Sequence, residues 1–137
     1  MKILVATDGS EQAMKAVKGA LELAEKEGAE VTIISIAYFS KEDLDEMPPD
    51  IQDKLEAEAR TALNKAKALF EEKNINVQVV LETGRVPANN ILRKAEEIKC
   101  DRVLLGSTGR TGFSRAVMGS TAAKVVSLAP CTVTVIR

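Results

Sequence analysis

Short apolar runs alternate with longer stretches of helical periodicity along the whole chain, and that alternation restricts it to a parallel sheet wrapped by helices. The runs that read as strands are Ile3-Leu4-Val5-Ala6, Val31–Ile36, Val77–Leu81, Val103-Leu104-Leu105 and Thr132–Ile136. After Ser10, the residues Ala13, Ala16, Val17, Ala20 and Ala24 recur on one helical face, and Gly28 stops that helix. Ile51, Leu55, Ala59, Ala62, Ala66 and Leu69 mark a second helix at the same spacing. A third starts at Pro87, a residue suited to a first helical turn, and buries Ile91, Leu92, Ala95 and Ile98. A fourth starts near Gly119-Ser120 and stops before Pro130. Right-handed crossovers then leave doubly wound α/β arrangements with helices on both faces.

A length of 137 residues fits one domain over 1–137, and a hydrophobic content of 45% fills one core. Aromatic residues are only 3%, so the core is aliphatic, and stacking platforms for single-stranded nucleic acid are not expected. Lys+Arg is 19 and Asp+Glu is 20, a net charge of −1, without the basic excess of a nucleic-acid binder. No histidine is present, which removes the commonest general base and the commonest metal ligand. The two cysteines, Cys100 and Cys131, form no CxxC pair, so neither a disulfide framework nor a zinc site is expected. Both stand at the start of a strand, and neighbouring strands would bring them close. Two small buried thiols of a cytosolic protein are the expected reading. Asp8 ends the first apolar run far short of a signal peptide, and no run approaches the ~20 apolar residues of a membrane span. A cytoplasmic protein without a membrane partner is expected.

The outer strands differ in character. In the third, Gln78 and Glu82 share one face and Val77, Val79 and Leu81 the other, as in a half-exposed edge. In the last, Thr132 and Thr134 alternate with Val133 and Val135. An unpaired apolar edge needs protection, and antiparallel pairing with the same strand of a second copy would supply it isologously. Residues 40–53, rich in acids and carrying Pro48-Pro49, read as a loop and are expected to be the mobile segment.

The functional signal lies between the fourth strand and the fourth helix, as Gly106-x2-Gly109-x9-Gly119-Ser120. The spacing is neither the dinucleotide fingerprint nor the Walker loop. A strand, a glycine-punctuated loop and a helix N-terminus still supply backbone N–H groups for an anion, so phosphate is the expected ligand. Gly106 lets a ligand lie against its backbone, and Gly109 can take positive φ. Gly119 and Ser120 sit where orphan N–H groups and the helix dipole favour phosphate, and the Ser120 hydroxyl adds a donor. Arg110 and Arg115 either add charge nearby or are solvated. In an open parallel sheet, ligands bind at the carboxyl ends of strands where the strand order reverses. If the first and fourth strands are neighbours, Asp8 in Ala6-Thr7-Asp8-Gly9-Ser10-Glu11 shares a crevice with Gly106. Asp8 has two readings here. It stands three residues before Glu11, a capping-box pattern in which Ser10 competes as the cap. It is equally a carboxylate that accepts hydrogen bonds from ribose or adenine, or assists a metal. Gly84-Arg85-Val86-Pro87 reads as a structural turn.

The opening Ile3–Glu11, the middle Gly84–Ile91, the Gly106–Ser120 signature and the close Ala129–Arg137 together resemble the universal stress protein family over nearly the whole chain. The resemblance implies a Rossmann-like five-stranded parallel sheet of order 3-2-1-4-5 and a homodimer through the last strand. It also implies membership of the ATP-binding group, which the signature glycines mark. By position, Ala6, Thr7 and Asp8 would border the adenosine, Ile36 would pack against adenine, and Leu105 and Gly106 would lie close by. Gly109, Gly119 and Ser120 would hold the phosphates, with Arg110 beside them and Thr121 assisting. ATP is the expected cofactor, AMP and ADP are alternatives, and Mg²⁺ would arrive on the phosphates. No catalytic residue and no protein metal ligand is expected. One departure stands out: Thr108 occupies a position where family members often have histidine. The backbone cradle is spared, but chemistry through that histidine is weakened.

The implied function is a nucleotide-dependent regulatory module of the stress response, read by an unknown protein partner. The alternative is a slow Mg-dependent ATPase or phosphotransferase, since phosphoryl transfer rests mostly on positioning. No lysine stands at Walker spacing, and Asp8 is the one candidate carboxylate. Adenylate-forming enzymes on related folds carry a Ser-Gly-Gly-rich loop where this chain has Thr7–Glu11, and flavin binding on a related fold ranks lower still.

Overall fold

The computed structural model describes residues 1–40, 46–108 and 118–137. In chain order the elements are β1 (Lys2–Ala6), α1 (Glu11–Glu27), β2 (Glu30–Ala37), α2 (Pro49–Glu72), β3 (Gln78–Thr83), α3 (Pro87–Ile98), β4 (Arg102–Gly106), α4 (Ser120–Leu128) and β5 (Thr132–Ile136). The strands form one parallel sheet in the order β3-β2-β1-β4-β5, the Rossmann-like arrangement that the resemblance implied. β1 is central because it is apolar on both faces. Ile3 and Val5 join one core cluster with α1, α2 and Leu104, while Leu4 joins the other with α3, α4 and Val103. β3 and β5 are the edges.

The helix boundaries follow local chemistry. Ser10 caps α1 by accepting the Ala13 N–H through Oγ at 3.2 Å, and Gly28 closes it in the left-handed region at φ 67°. α2 begins earlier than the expected 40–53 loop allows. Pro49 has the φ that a first turn needs and no N–H to leave unpaired, so helix forms from there, while 41–45 lie outside the described residues. Ile51 does not join the core that its periodicity implied; it is 44% exposed on that first turn, and Leu63 and Phe70 fill the interior instead. β3 runs past Leu81 to Thr83, because Ile36↔Glu82 and Ala37↔Thr83 continue its pairing with β2.

The β3–α3 connection is pinned by side chains. Asn90, buried on α3, donates from Nδ2 to Glu82 Oε1 at 2.9 Å and to the Thr83 carbonyl at 3.1 Å. Glu82 also pairs with Arg93, and with Lys94 at 3.5 Å. Partial burial pushes the Glu82 carboxyl up, but the Asn90 hydrogen bond and the two cations prevail and hold it below its ordinary range. A Cβ on Gly84 would lie 2.3 Å from Asn90 Oδ1, so this turn has no room for a side chain. Among the described residues, no helix is long and apolar enough to cross a membrane.

Candidate functional site

The strand order reverses between β1 and β4, and their register aligns their carboxyl ends: Ile3 pairs with Arg102, Leu4 with Val103 and Val5 with Leu104. Beyond those ends a cavity of about 460 Å³ opens, within the roughly 300–1,000 Å³ usual for small-molecule sites. Ala6, Thr7, Asp8, Ile36, Leu105, Gly106, Gly119, Ser120 and Thr121 all line it. Gly109 and Arg110, the other two residues expected at the site, lie outside the described residues, as does Arg115.

The β1 side of the cavity is internally satisfied. The Thr7 N–H continues the sheet to the Ile34 carbonyl at 3.0 Å, and Thr7 Oγ1 accepts the Gly9 N–H at 3.1 Å. Asp8 Oδ1 accepts the Ser10 N–H at 2.9 Å, and Ser10 caps α1. Of the two candidates, Ser10 is therefore the cap, and Asp8 braces the turn while lining the cavity. Gly9 has φ 82°, the left-handed conformation this turn requires.

The β4 side is built differently. The Ser107 N–H donates to the Ile136 carbonyl at 2.8 Å, and the Ser107 carbonyl accepts the Gly119 N–H at 2.7 Å. Gly119 stands at the N-cap of α4 in extended backbone, and among the described residues no side chain caps the helix. The first-turn N–H groups of α4 therefore have no acceptor within the helix, and Ser120, Thr121 and Ala122 border the cavity. Gly106 carries a constraint the sequence did not reveal. A Cβ there would lie 2.9 Å from the Gln12 carbonyl carbon and 3.0 Å from its oxygen. The first turn of α1 presses on this glycine, so helix packing by itself excludes a side chain.

Local sequence reasoning missed several lining residues. Leu55, Glu58 and Ala59 come from α2, which folds over the cavity; their i, i+3, i+4 spacing was a usable signal. Ser35, buried within the apolar β2 run, was the other hint. Tyr38, Pro87 and Ile91 complete the apolar wall. Among the described lining residues, Asp8 and Glu58 are the charged ones and neither Lys nor Arg is present. Such a cavity brings together apolar lining, the carboxylates of Asp8 and Glu58, and the N-terminus of α4.

Residues 1–137 match the model of the universal stress protein family. A universal stress protein of Methanocaldococcus jannaschii is 35% identical over 99% of this chain and 81% of its own. One of Bacillus subtilis is 30% identical over 99% and 98%. A solved structure of a hypothetical protein, determined to assign its biochemical function, superposes with a TM-score of 0.86 at 26% identity over 98% of this chain and 94% of its own. Two further solved folds superpose at 22% identity. One is a universal stress protein in complex with cAMP, with TM-score 0.76 over 100% of this chain and 97% of its own. The other, from Archaeoglobus fulgidus in complex with dAMP, has TM-score 0.73 over 100% and 98%.

Proposed function

The chain belongs to the universal stress protein family, and on that premise we propose that residues 1–137 form one ATP-binding domain that acts as a nucleotide-dependent regulatory module of the stress response. The observation that carries this reading is the α4 N-terminus, without a side-chain cap among the described residues, bordering a cavity also lined by apolar side chains and two carboxylates. Those three chemistries match the three parts of an adenine nucleotide. Adenine fits against Ile36 and the apolar wall, and ribose hydroxyls can donate to Asp8. The phosphates accept from the N–H groups of Ser120 and Thr121, with Gly109 and Arg110 completing the cradle. The related structures that hold cAMP and dAMP support an adenine nucleotide as the class of ligand.

The carboxylates Asp8 and Glu58 favour a nucleotide whose phosphate charge is partly neutralised, so Mg²⁺ fits as a passenger on the phosphates. Bound there, the ion would supply charge neutralisation. The protein's own residues would orient the base and ribose and donate to phosphate oxygens. With no histidine in the chain and no lysine at Walker spacing, binding is favoured over rapid turnover. The edge position of β5, beside Val126 and Leu128 exposed on the preceding helix, supports a homodimer through that strand.

The test is to denature freshly purified protein and identify released nucleotide by chromatography, counted per chain. ATP near one per chain, or saturable binding on titration with ATP and Mg²⁺, is the expected result. Empty protein that also fails to titrate would overturn the reading. Fast multiple-turnover hydrolysis would favour the ATPase alternative, and a sedimenting monomer would remove the dimer.

A further inference from the structure

We propose that Cys100 and Cys131 form a site of reversible oxidation, at which hydrogen peroxide closes an intrachain disulfide between the start of β4 and the start of β5. These are the only two cysteines in the chain. Their sulfurs lie 3.7 Å apart, although the residues come from separate strands. The register Arg102↔Thr132, taken one step back, sets Cys131 opposite Asp101 and makes Cys100 its diagonal neighbour. Adjacent strands run about 4.8 Å apart and rise about 3.3 Å per residue, so such diagonal neighbours stand roughly 5.8 Å apart, inside the roughly 4.4–6.8 Å of bridged cysteines. Rotation of the side chains closes the remaining gap to a sulfur–sulfur bond of about 2.05 Å.

The two thiols differ in a way that divides the chemistry between them. Cys100 is 7% exposed, whereas Cys131 is half-buried and reachable from solvent. Burial pushes the Cys100 thiol up, and its hydrogen bond with Cys131 adds to the effect, so this sulfur stays protonated and does not lead. Cys131 attacks first. Its sulfur bonds to one peroxide oxygen, the O–O bond breaks, and the departing hydroxide leaves as water with the Cys131 proton. Cys131 is then a sulfenic acid. The Cys100 sulfur attacks the Cys131 sulfur, the S–O bond breaks, and a second water leaves with the Cys100 proton. Two thiols and one hydrogen peroxide thus become one disulfide and two waters. A dithiol reductant reverses the bridge by exchange.

The ring closed by this bond runs from residue 100 to residue 131 and contains β4, the Gly106–Ser120 signature and α4. Oxidation therefore ties the start of β4 to the start of β5 at the sheet edge. Closure is independent of what occupies the cavity, so it can succeed or fail apart from nucleotide binding.

The experiment is to treat reduced protein with stoichiometric hydrogen peroxide and record intact mass without reductant. The expected product has lost two hydrogens, about 2 Da, remains a single chain, yields one peptide joined at Cys100 and Cys131, and reverts with dithiothreitol. Its thermal midpoint rises by on the order of 10 °C. Cys131→Ser should show neither the mass loss nor the thermal shift. Added oxygen in place of lost hydrogen, a disulfide between two chains, no reaction, or a thermal shift retained in Cys131→Ser would each overturn the proposal.

Discussion

α1 and α4 start at the carboxyl ends of neighbouring strands and border the same cavity, yet their N-termini are opposites. α1 is closed from within: Ser10 accepts the Ala13 N–H, Asp8 accepts the Ser10 N–H, and Glu11 adds negative charge to the first turn. α4 has Gly119 at its N-cap, with no side-chain cap among the described residues and no acid in its first turn. A helix N-terminus attracts an anion only while its donors are unspent. The two ends therefore differ: under α1 a side-chain cap and a carboxylate already engage the Ala13 and Ser10 N–H groups, whereas among the described residues no side chain does so under α4. A ligand with a neutral hydroxylated part and an anionic part has one orientation that suits both. The contrast comes down to serine at one N-cap and glycine at the other.

The strongest way to break the contrast is to make α4 resemble α1. Gly119→Asp places a carboxylate at an N-cap whose extended backbone accepts it. Two like charges about 4 Å apart repel by ~4 kcal/mol at an effective dielectric of 20, so ATP affinity should fall at least 100-fold. Stability should stay within about 1 kcal/mol, since the new cap offsets the close approach of its Cβ to the Ser107 carbonyl oxygen at 3.2 Å. Calorimetric titration beside a urea melt reads both quantities. Unchanged affinity would show that α4 is not the anion end.

Gly106→Ala asks what that glycine is for. If α1 is what excludes a side chain, the substitution should cost about 1–3 kcal/mol in urea denaturation even without nucleotide. Full stability with weakened binding would assign the glycine to the ligand instead. Ser10→Ala works on the closed end. It should remove about 1 kcal/mol of stability and leave ATP affinity within about twofold, because the α1 donors are not offered to the ligand. A large loss of affinity would mean the two ends are not distinct.

Much of this contrast was legible in sequence, and for identifiable reasons. The strand and helix order followed from periodicity, and Ser10 and Gly28 from chemistry that acts within a few residues. Asp8 and Gly106 could be gathered into one crevice once β1 and β4 were taken as neighbours, because ends of neighbouring parallel strands must meet, and the resemblance added Ala6, Thr7, Leu105 and Gly119. Contacts made across the fold were not legible. Gly106 looked like a ligand-facing glycine, yet its nearest neighbour is the backbone of Gln12, from a helix distant in sequence. Glu58 lines the cavity only because α2 lies over it, a placement that its position in the sequence does not carry. Asn90 is buried because its partner Glu82 sits on another element.

α3 offers a third kind of helix start, and it yields the smallest predicted effect. Val86 at its N-cap makes no side-chain hydrogen bond, and Pro87 has no N–H to satisfy. The helix is held through its flank, where Asn90, Arg93 and Lys94 converge on Glu82. Because Glu82 titrates below its ordinary value of 4.5 when folded, its ionised form is favoured by folding. That contribution is full above the unfolded value and disappears as pH falls through the lowered folded one. Glu82→Gln keeps a side-chain oxygen for Asn90 but loses both ion pairs, so near neutral pH the variant should be less stable by on the order of 0.5 kcal/mol. The gap should narrow as pH drops below 4.5 and shrink at high salt at neutral pH. Urea melts at a series of pH values check this. A gap that persisted in strong acid would mean that Glu82 acts by shape and packing, and that α3 is held in place without charge.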